Sequence, residues 1–209
     1  MGGLAACAVH VLTEHYDISQ LDAHRAYLTT SGIPFFAQLD LLYPDDPRND
    51  RANKEFTALK KQAYTSWQFF DGVAETLQKL QSAGYLISVS SNSENALVQK
   101  LVERPSIAPL IDCALGWRPN FVKGPLHFNY LASHFKLSLN DIVFIGDSVW
   151  DAKLAAQSSV AFIAKVGTLS AHSFQNYDSD ITMIHHIREL EAMLTTWSPS
   201  YSPQVAANA

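Results

Sequence analysis

The stretch that decides the fold is Ile142-Val143-Phe144-Ile145-Gly146-Asp147-Ser148-Val149-Trp150-Asp151. Its four leading apolar residues predict a strand that is buried on both faces. Gly-Asp-Ser predicts the turn that leaves this strand, and a helix is expected from Ala152 to Gln157. In parallel α/β sheets, ligands bind at the carboxyl ends of strands. Asp147 and Asp151 are therefore candidates to hold Mg²⁺ through oxygen. Taken alone, they are equally typical of a turn and of an acidic helix start.

A second strand, Leu86–Ser90, also runs into polar residues, here Ser91 and Asn92. A helix is expected to follow from about Glu94 to Val102. A hydroxyl followed by backbone N–H groups at a helix start can bind an anion. The alternative is ordinary capping of that helix by Asn92 or Ser93.

Lys123 lies in the segment Phe121-Val122-Lys123-Gly124-Pro125. Gly-Pro interrupts the chain before a helix that runs through Asn129 to Phe135, so the lysine is expected on a loop. An isolated loop lysine is more often solvated than functional. In the sequence, Lys123 lies between the two predicted strands.

A strand that ends in Ser, then Lys, then a strand that ends in Gly-Asp-Ser-x-x-Asp resembles motifs II, III and IV of the haloacid dehalogenase (HAD) superfamily. The resemblance continues in Phe70-Asp71-Gly72-Val73 and in the helix and glycine turn at 77–84. It implies that Ser91, with Asn92 beside it, binds the transferring phosphoryl group, and that Lys123 neutralises it. It also implies that Asp147 ligates Mg²⁺, and that Asp151 ligates the ion or orients its waters.

One motif of that superfamily is absent from this sequence. Its members carry Asp-x-Asp after their first strand, where the first Asp attacks phosphorus and the second acts as acid and base. Asp17 follows no apolar strand, and Asp45-Asp46 lies in a polar loop between prolines. We expect either a true start upstream of Met1 or a naturally shortened relative. By resemblance, the absent strand would be central, between the Ser91 strand and the Asp147 strand.

The chain is predicted to have three parts: a helical cap at 1–68, a HAD-like α/β core at 69–196 and a disordered tail at 197–209. The core is expected to be a Rossmannoid parallel sheet flanked by helices, without its first strand. The expected cap helices are Leu4–His15, Ser19–Thr29, Phe35–Tyr43 and Ala52–Trp67. The expected core strands are Leu86–Ser90, Cys113–Leu115, Ile142–Ile145, Val160–Ala164 and Ile181–Ile184.

Within the cap, Ser31-Gly32-Ile33-Pro34-Phe35-Phe36 resembles a loop that faces the active site in phosphoglycolate phosphatase and beta-phosphoglucomutase relatives. The simpler interpretation is that Phe35 and Phe36 belong to the cap's apolar core.

Composition excludes several functional classes. A net charge of −5 gives no reason to expect nucleic-acid binding, and no long apolar run predicts a membrane span. Cys7 and Cys113 lie in apolar contexts without disulfide or metal spacing, which favours a reducing cytoplasm.

The expected function is Mg²⁺-dependent hydrolysis of a small phosphorylated metabolite, by family resemblance. The alternative is a non-catalytic relative that binds a phosphorylated ligand or a protein partner. A dehalogenase that acts without metal is disfavoured by the Asp147/Asp151 pair, and a flavodoxin-like phosphoacceptor domain is disfavoured by the cap. The 209-residue chain itself is expected to be inactive.

Overall fold

The computed structural model describes residues 2–196, and the predicted tail at 197–209 lies outside them. Four helices come first, and alternating helices and parallel strands follow. None of the helices in the described range is long and apolar enough to cross a membrane. The N-terminal helices are α1 (Gly2–His15), α2 (Gln20–Thr29), α3 (Phe35–Leu42) and α4 (Asn49–Ser66). The later elements are α5 (Val73–Ser82), β1 (Ser88–Glu94), α6 (Asn95–Val102), β2 (Cys113–Trp117), α7 (Pro125–Phe135), β3 (Val143–Gly146), α8 (Val149–Gln157), β4 (Ala161–Lys165), α9 (Ala171–Gln175), β5 (Met183–Ile184) and α10 (Glu189–Thr196).

The helical segment, residues 2–66, packs around an apolar core of its own. On α1, Ala8, Val11 and Leu12 recur at helical spacing, and all three are fully buried. The rings of Phe35 and Phe56 stack at a centroid distance of 3.9 Å and join α3 to α4. The helical segment therefore closes its core with side chains from its own four helices.

The sheet consists of two parallel parts. β1 pairs with β2, and β4 lies between β3 and β5. Ile145 of β3 is opposite Ile163 of β4, and Ser88 of β1 is opposite Cys113 of β2. Helices α5 and α10 pack on one face with β4 and β5, whereas α7 and α8 form an apolar cluster with Val160. This is a mixed α/β arrangement in which helices flank parallel strands, as the sequence predicts.

No strand among residues 2–196 pairs β1 with β3. The two strands instead border one elongated apolar cavity of about 430 Å³, which we call the central slot. Its walls are residues 84–90 and 141–145, and side chains of α5, α7 and α10 form its floor and roof. Neither strand has a sheet partner on this side within the described residues, so backbone hydrogen-bonding groups face the slot.

The central slot explains where the strand predictions fail. Ile142–Ile145 was expected to be buried on both faces, but all four residues of β3 are only half-buried. The expectation is wrong because one neighbour that would cover this strand is absent from the described residues.

β1 also runs further than predicted, to Glu94, and β5 is shorter, with only Met183 and Ile184. Glu94 is the N-cap residue of α6, so neither Asn92 nor Ser93 caps that helix.

Candidate active site

A cavity of about 250 Å³ lies at the carboxyl ends of β1 and β3, on the side of the helical segment. It shares Ser90, Phe144 and Ile145 with the central slot. Five residues that the sequence singled out line this one cavity, although up to 60 positions separate them in the chain: Ser91, Asn92, Lys123, Asp147 and Asp151. The parallel strands bring them together because their carboxyl ends lie at one edge of the sheet.

Lys123 and Asp151 form a buried ion pair. Lys123 Nζ lies 2.5 Å from Asp151 Oδ1, and the two side chains are only 11% and 3% exposed. The contact does not have the alignment of a hydrogen bond, since Oδ1 has no hydrogen-bond partner among the described residues. The interpretation of Lys123 as a solvated loop lysine is therefore wrong. Lys123 does lie on a loop, between β2 and α7, but that loop is packed against the sheet.

Asp147 lies beside this pair and has a different partner. Thr168 Oγ1 donates a hydrogen bond to Asp147 Oδ2 at 2.6 Å. Burial raises the pKa of Asp147 above its usual range, and the nearby Asp151 carboxylate acts in the same direction. The hydrogen bond from Thr168 and the charge of Lys123 oppose that rise. A cation bound beside Asp147 would stabilise the ionised form of this carboxylate.

Gly146 and Ser148 hold Asp151 in place. A Cβ on Gly146 would lie 2.8 Å from Asp151 Oδ2, so only glycine allows this close approach. Ser148 is the N-cap of α8, and its Oγ accepts a hydrogen bond from the Asp151 N–H at 3.0 Å. This cap starts α8 at Val149, three residues before the predicted start at Ala152.

Asn92 connects the sheet to the helical segment. Its Nδ2 donates to the carbonyl of Gly32 at 2.9 Å, and its Oδ1 accepts from the Lys123 N–H at 3.1 Å. Both ends of the side chain are thus engaged with protein. Near the end of β1, Ser91 Oγ accepts a hydrogen bond from the Ser93 N–H at 3.1 Å. Ser91 also lines the cavity, and its hydroxyl can still donate a hydrogen bond.

The loop at 31–35 lies against the site. Gly32 has a φ of +105°, and a Cβ there would collide with the Ser148 hydroxyl and lie 2.7 Å from the Trp150 Cβ. The two phenylalanines that follow behave differently. Phe35 is buried in the helical core and also lines the cavity. Phe36 is 42% exposed and contacts the edge of Trp117, so it does not belong to that core.

Three residues that the sequence did not single out contribute to the site. Thr168 holds Asp147, and Tyr27 and Lys60 line the cavity from the helical segment. Burial raises the pKa of Tyr27, and the charge of Asp147 acts in the same direction, so its hydroxyl stays protonated. None of the three lies in a motif, because each reaches the site from a helix or a loop that is distant in sequence.

The site meets part of what a Mg²⁺ ion requires. Asp147 and Asp151 both line the cavity and carry the hard carboxylate oxygens that this ion prefers. However, among residues 2–196 no group of three or more His, Cys, Asp or Glu side chains is placed to hold a metal. Two carboxylates are fewer protein ligands than the six oxygens of an octahedral ion demand, so waters or another segment must supply the rest.

Residues 3–165 match the family model described as haloacid dehalogenase-like hydrolase. The chain belongs to this family. Among solved structures, a haloacid dehalogenase-like family protein from Streptococcus pneumoniae has a TM-score of 0.75 at 17% identity, covering 92% of this chain and 90% of its own. A protein from Haemophilus somnus that carries the name predicted phosphoglycolate phosphatase has a TM-score of 0.71 at 17% identity, covering 92% and 91%.

Two further proteins are similar to this chain. A HAD family hydrolase from Deinococcus radiodurans, solved with bound phosphate and sodium, has a TM-score of 0.64 at 20% identity, covering 93% of this chain and 88% of its own. The (S)-2-haloacid dehalogenase 4A of Burkholderia cepacia is 24% identical over 95 residues. That match covers 43% of this chain and 39% of the dehalogenase. At these identities, the solved structures establish a shared fold.

Proposed function

We propose that this protein derives from Mg²⁺-dependent phosphate monoester hydrolases that act on a small phosphorylated metabolite. The observation that carries the proposal is that Ser91, Lys123, Asp147 and Asp151 line one small cavity at the strand ends. A hydroxyl donor, a lysine and a carboxylate pair are the groups that bind a phosphoryl group and the cation that accompanies it. The cavity of about 250 Å³ is below the range for drug-sized ligands, which favours a metabolite of few atoms.

Each residue has a distinct role in this proposal. The Ser91 hydroxyl donates a hydrogen bond to a phosphoryl oxygen, and Lys123 neutralises the charge that develops on the equatorial oxygens. Asn92 positions Lys123 through its hydrogen bond to the Lys123 N–H. Asp147 and Asp151 would hold Mg²⁺, which supplies further charge neutralisation when bound. The helical segment acts as a cap that excludes water from the site.

The attacking group is the element that this cavity lacks. Ser91 has no evident base to activate it, since its described hydrogen bond is to the Ser93 N–H. We propose that the nucleophile is an aspartate on an extended segment outside residues 2–196. That segment would pair in parallel with β1 and β3 in the central slot. The slot and the site share Ser90, Phe144 and Ile145, so a parallel strand there would end beside Asp147.

The proposal can be tested by supplying the strand. We would add a synthetic peptide of five apolar residues followed by Asp-x-Asp to the 209-residue chain, with Mg²⁺ and p-nitrophenyl phosphate. The matched control peptide has Asn in place of the first Asp. Both peptides should raise the melting temperature, but only the Asp peptide should support turnover. Loss of a covalent nucleophile costs on the order of a millionfold in rate.

An N-terminally extended chain provides the same test in one molecule. Metal-dependent turnover by the 209-residue chain alone, at a rate comparable to that of the extended chain, would contradict the assignment of the nucleophile to the slot. Asp17 and the helical segment would then be the candidates to supply the nucleophile.

A second candidate function is a non-catalytic relative that binds a phosphorylated ligand or a protein partner. The observation in its favour is that Asp151, one of the two candidate metal ligands, is already paired with Lys123. Inactivity of both the extended chain and the peptide complex, with phosphate binding retained, would favour this candidate.

A further inference from the structure

Lys60 lines the cavity but has no role in the proposed hydrolysis. It lies on α4, its side chain lines the same cavity as Ser91 and Lys123, and it is half-buried. No described residue forms a hydrogen bond or an ion pair with its amine. The described contact of that amine is with the ring of Tyr64, whose centroid lies 5.9 Å from Lys60 Nζ.

The neighbours of Lys60 place its amine on the helical side of the cavity. Tyr64, one turn further along α4, joins the Ser93 hydroxyl through a hydrogen bond of 2.8 Å, which ties α4 to the end of β1. Glu94 is the carboxylate whose charge acts on Lys60, but Glu94 itself pairs with Lys61 at 3.3 Å. Lys60 thus faces the cavity without a carboxylate of its own.

The carboxylates of the cavity have other partners. Asp151 pairs with Lys123, and Asp147 accepts a hydrogen bond from the uncharged Thr168 hydroxyl. Burial lowers the pKa of Lys60 to about 8, so most of the amine still carries its charge at pH 7. A partly buried ammonium without a partner is unfavourable, and an anion brought in by a ligand would relieve that cost.

We propose that Lys60 determines specificity by binding an anionic group that the substrate carries in addition to its scissile phosphate. This inference rests on the proposed function, which places the phosphoryl group at Ser91 and Lys123. The substrate class is then a short phosphate ester with a second anionic end, either a carboxylate or a second phosphate. Lys123 binds one end from the sheet, and Lys60 binds the other from the helical segment.

Titration calorimetry on the 209-residue chain with Mg²⁺ tests the proposal without turnover. Three probes separate the two sources of negative charge: 2-phosphoglycolate, ethylene glycol bisphosphate and ethyl phosphate, which has no second anion. We expect the preferred anionic probe to bind about tenfold more tightly than ethyl phosphate. The variant Lys60→Met should reduce that preference to less than about twofold, because it weakens the probe with two anionic ends more than it weakens ethyl phosphate.

Two variants serve as controls. Lys60→Arg keeps the charge and should keep most of the preference. Lys54→Met removes an exposed lysine from the same helix and should change nothing. Equal binding of all three probes by the unmodified chain would overturn the role of Lys60. So would a loss of affinity in Lys60→Met that is the same for all three probes.

Two further variants test the proposed function with the same three probes. Lys123→Met and Ser91→Ala should each weaken all three probes, whatever their second group. If ethyl phosphate binds both variants as well as it binds the unmodified chain, the phosphate site is misplaced. Failure of the proposed function thus appears in the Lys123 and Ser91 arms, and failure of this inference appears in the Lys60 arm alone.

Discussion

The helical segment and the centre of the sheet both contain apolar side chains, yet only the helical segment has a closed core. In the helical segment, Leu12 and Leu39 are fully buried by neighbouring helices. In the sheet, every residue of β3 is half-buried, and Leu86, which lies two residues before β1, is 46% exposed. The difference lies in how each element satisfies its backbone. A helix pairs its own N–H and C=O groups, whereas a strand needs a partner on each side.

This contrast assigns separate tasks to the two regions. The helical segment is a finished unit that contributes Gly32, Tyr27 and Lys60 to the site. The sheet provides the charged groups and leaves the central slot open beside them. Stability measurements can locate the boundary between the closed and the open parts.

The largest effect is expected at the ion pair of Lys123 and Asp151. Both side chains are buried, although the cavity that they line adjoins the central slot. Lys123→Ala should lower the free energy of unfolding by about 3–5 kcal/mol, since it leaves a buried carboxylate without its partner. Urea unfolding measures this loss. The double variant Lys123→Met/Asp151→Leu should lose less, because no isolated charge remains.

Lys153→Ala, at an exposed lysine of α8, is the control for this measurement and should have little effect. A loss at Lys123 no larger than that at Lys153 would show that water reaches the pair and that the open region extends into the site. It would also restore the sequence-based interpretation of Lys123 as a solvated loop residue.

A pair of leucine truncations compares the two regions directly. Leu39→Ala in α3 should cost about 2–5 kcal/mol, the range for a fully buried leucine. Leu86→Ala at the wall of the slot should cost less than about 1 kcal/mol, since half of that side chain is already in water. Chemical denaturation of both variants gives the comparison.

Filling the slot sharpens this comparison. With the Asp-x-Asp peptide or an N-terminal extension present, the cost of Leu86→Ala should rise towards that of Leu39→Ala, which should itself stay constant. Equal costs in the 209-residue chain alone would mean that the slot is closed in solution.

The sequence predicted the helical segment more accurately than the centre of the sheet. The apolar patterns predicted the N-terminal helices to within three residues of their observed bounds, because helices depend on local sequence. The five site residues were predicted to lie together because their order along the chain resembles motifs II, III and IV of the HAD superfamily. Burial of β3 on both faces was predicted from its apolar residues alone and was wrong, although the family resemblance already implied that the strand beside it is absent from the sequence.

The site residues that sequence analysis missed have one property in common. Thr168, Tyr27 and Lys60 contact the cavity from elements that no motif marks, and their roles depend on tertiary packing. The charge state of Lys123 could be predicted from its residue type. Its partner could not, since the contact with Asp151 spans 28 positions.

A titration of stability tests how far water penetrates from the slot. His127 on α7 is fully buried, with its Nδ1 2.9 Å from the Ser90 hydroxyl, and burial lowers its pKa to about 4. Between pH 6.5 and 4 the unfolded chain takes up a proton that the folded chain refuses, so stability falls as the pH is lowered. The loss should reach about 3 kcal/mol at pH 4.

Thermal unfolding across this range measures that loss. His127→Gln should flatten the profile, whereas His134→Gln, at an exposed histidine of the same helix, should leave it unchanged. A His127→Gln profile as steep as that of the unmodified chain would mean that water from the slot reaches this ring and that it titrates normally.

The smallest effect is expected at Asn92, the side chain that joins the two regions. Asn92→Ala removes its hydrogen bonds to the Gly32 carbonyl and from the Lys123 N–H, at a cost of about 1–2 kcal/mol. The loss should be local, because α1 and α4 keep their own core. Amide hydrogen exchange at Lys123 should therefore accelerate, while exchange in α1 stays the same. Faster exchange throughout α1 would show that the helical segment depends on the sheet for its stability, and the division into a closed and an open region would fail.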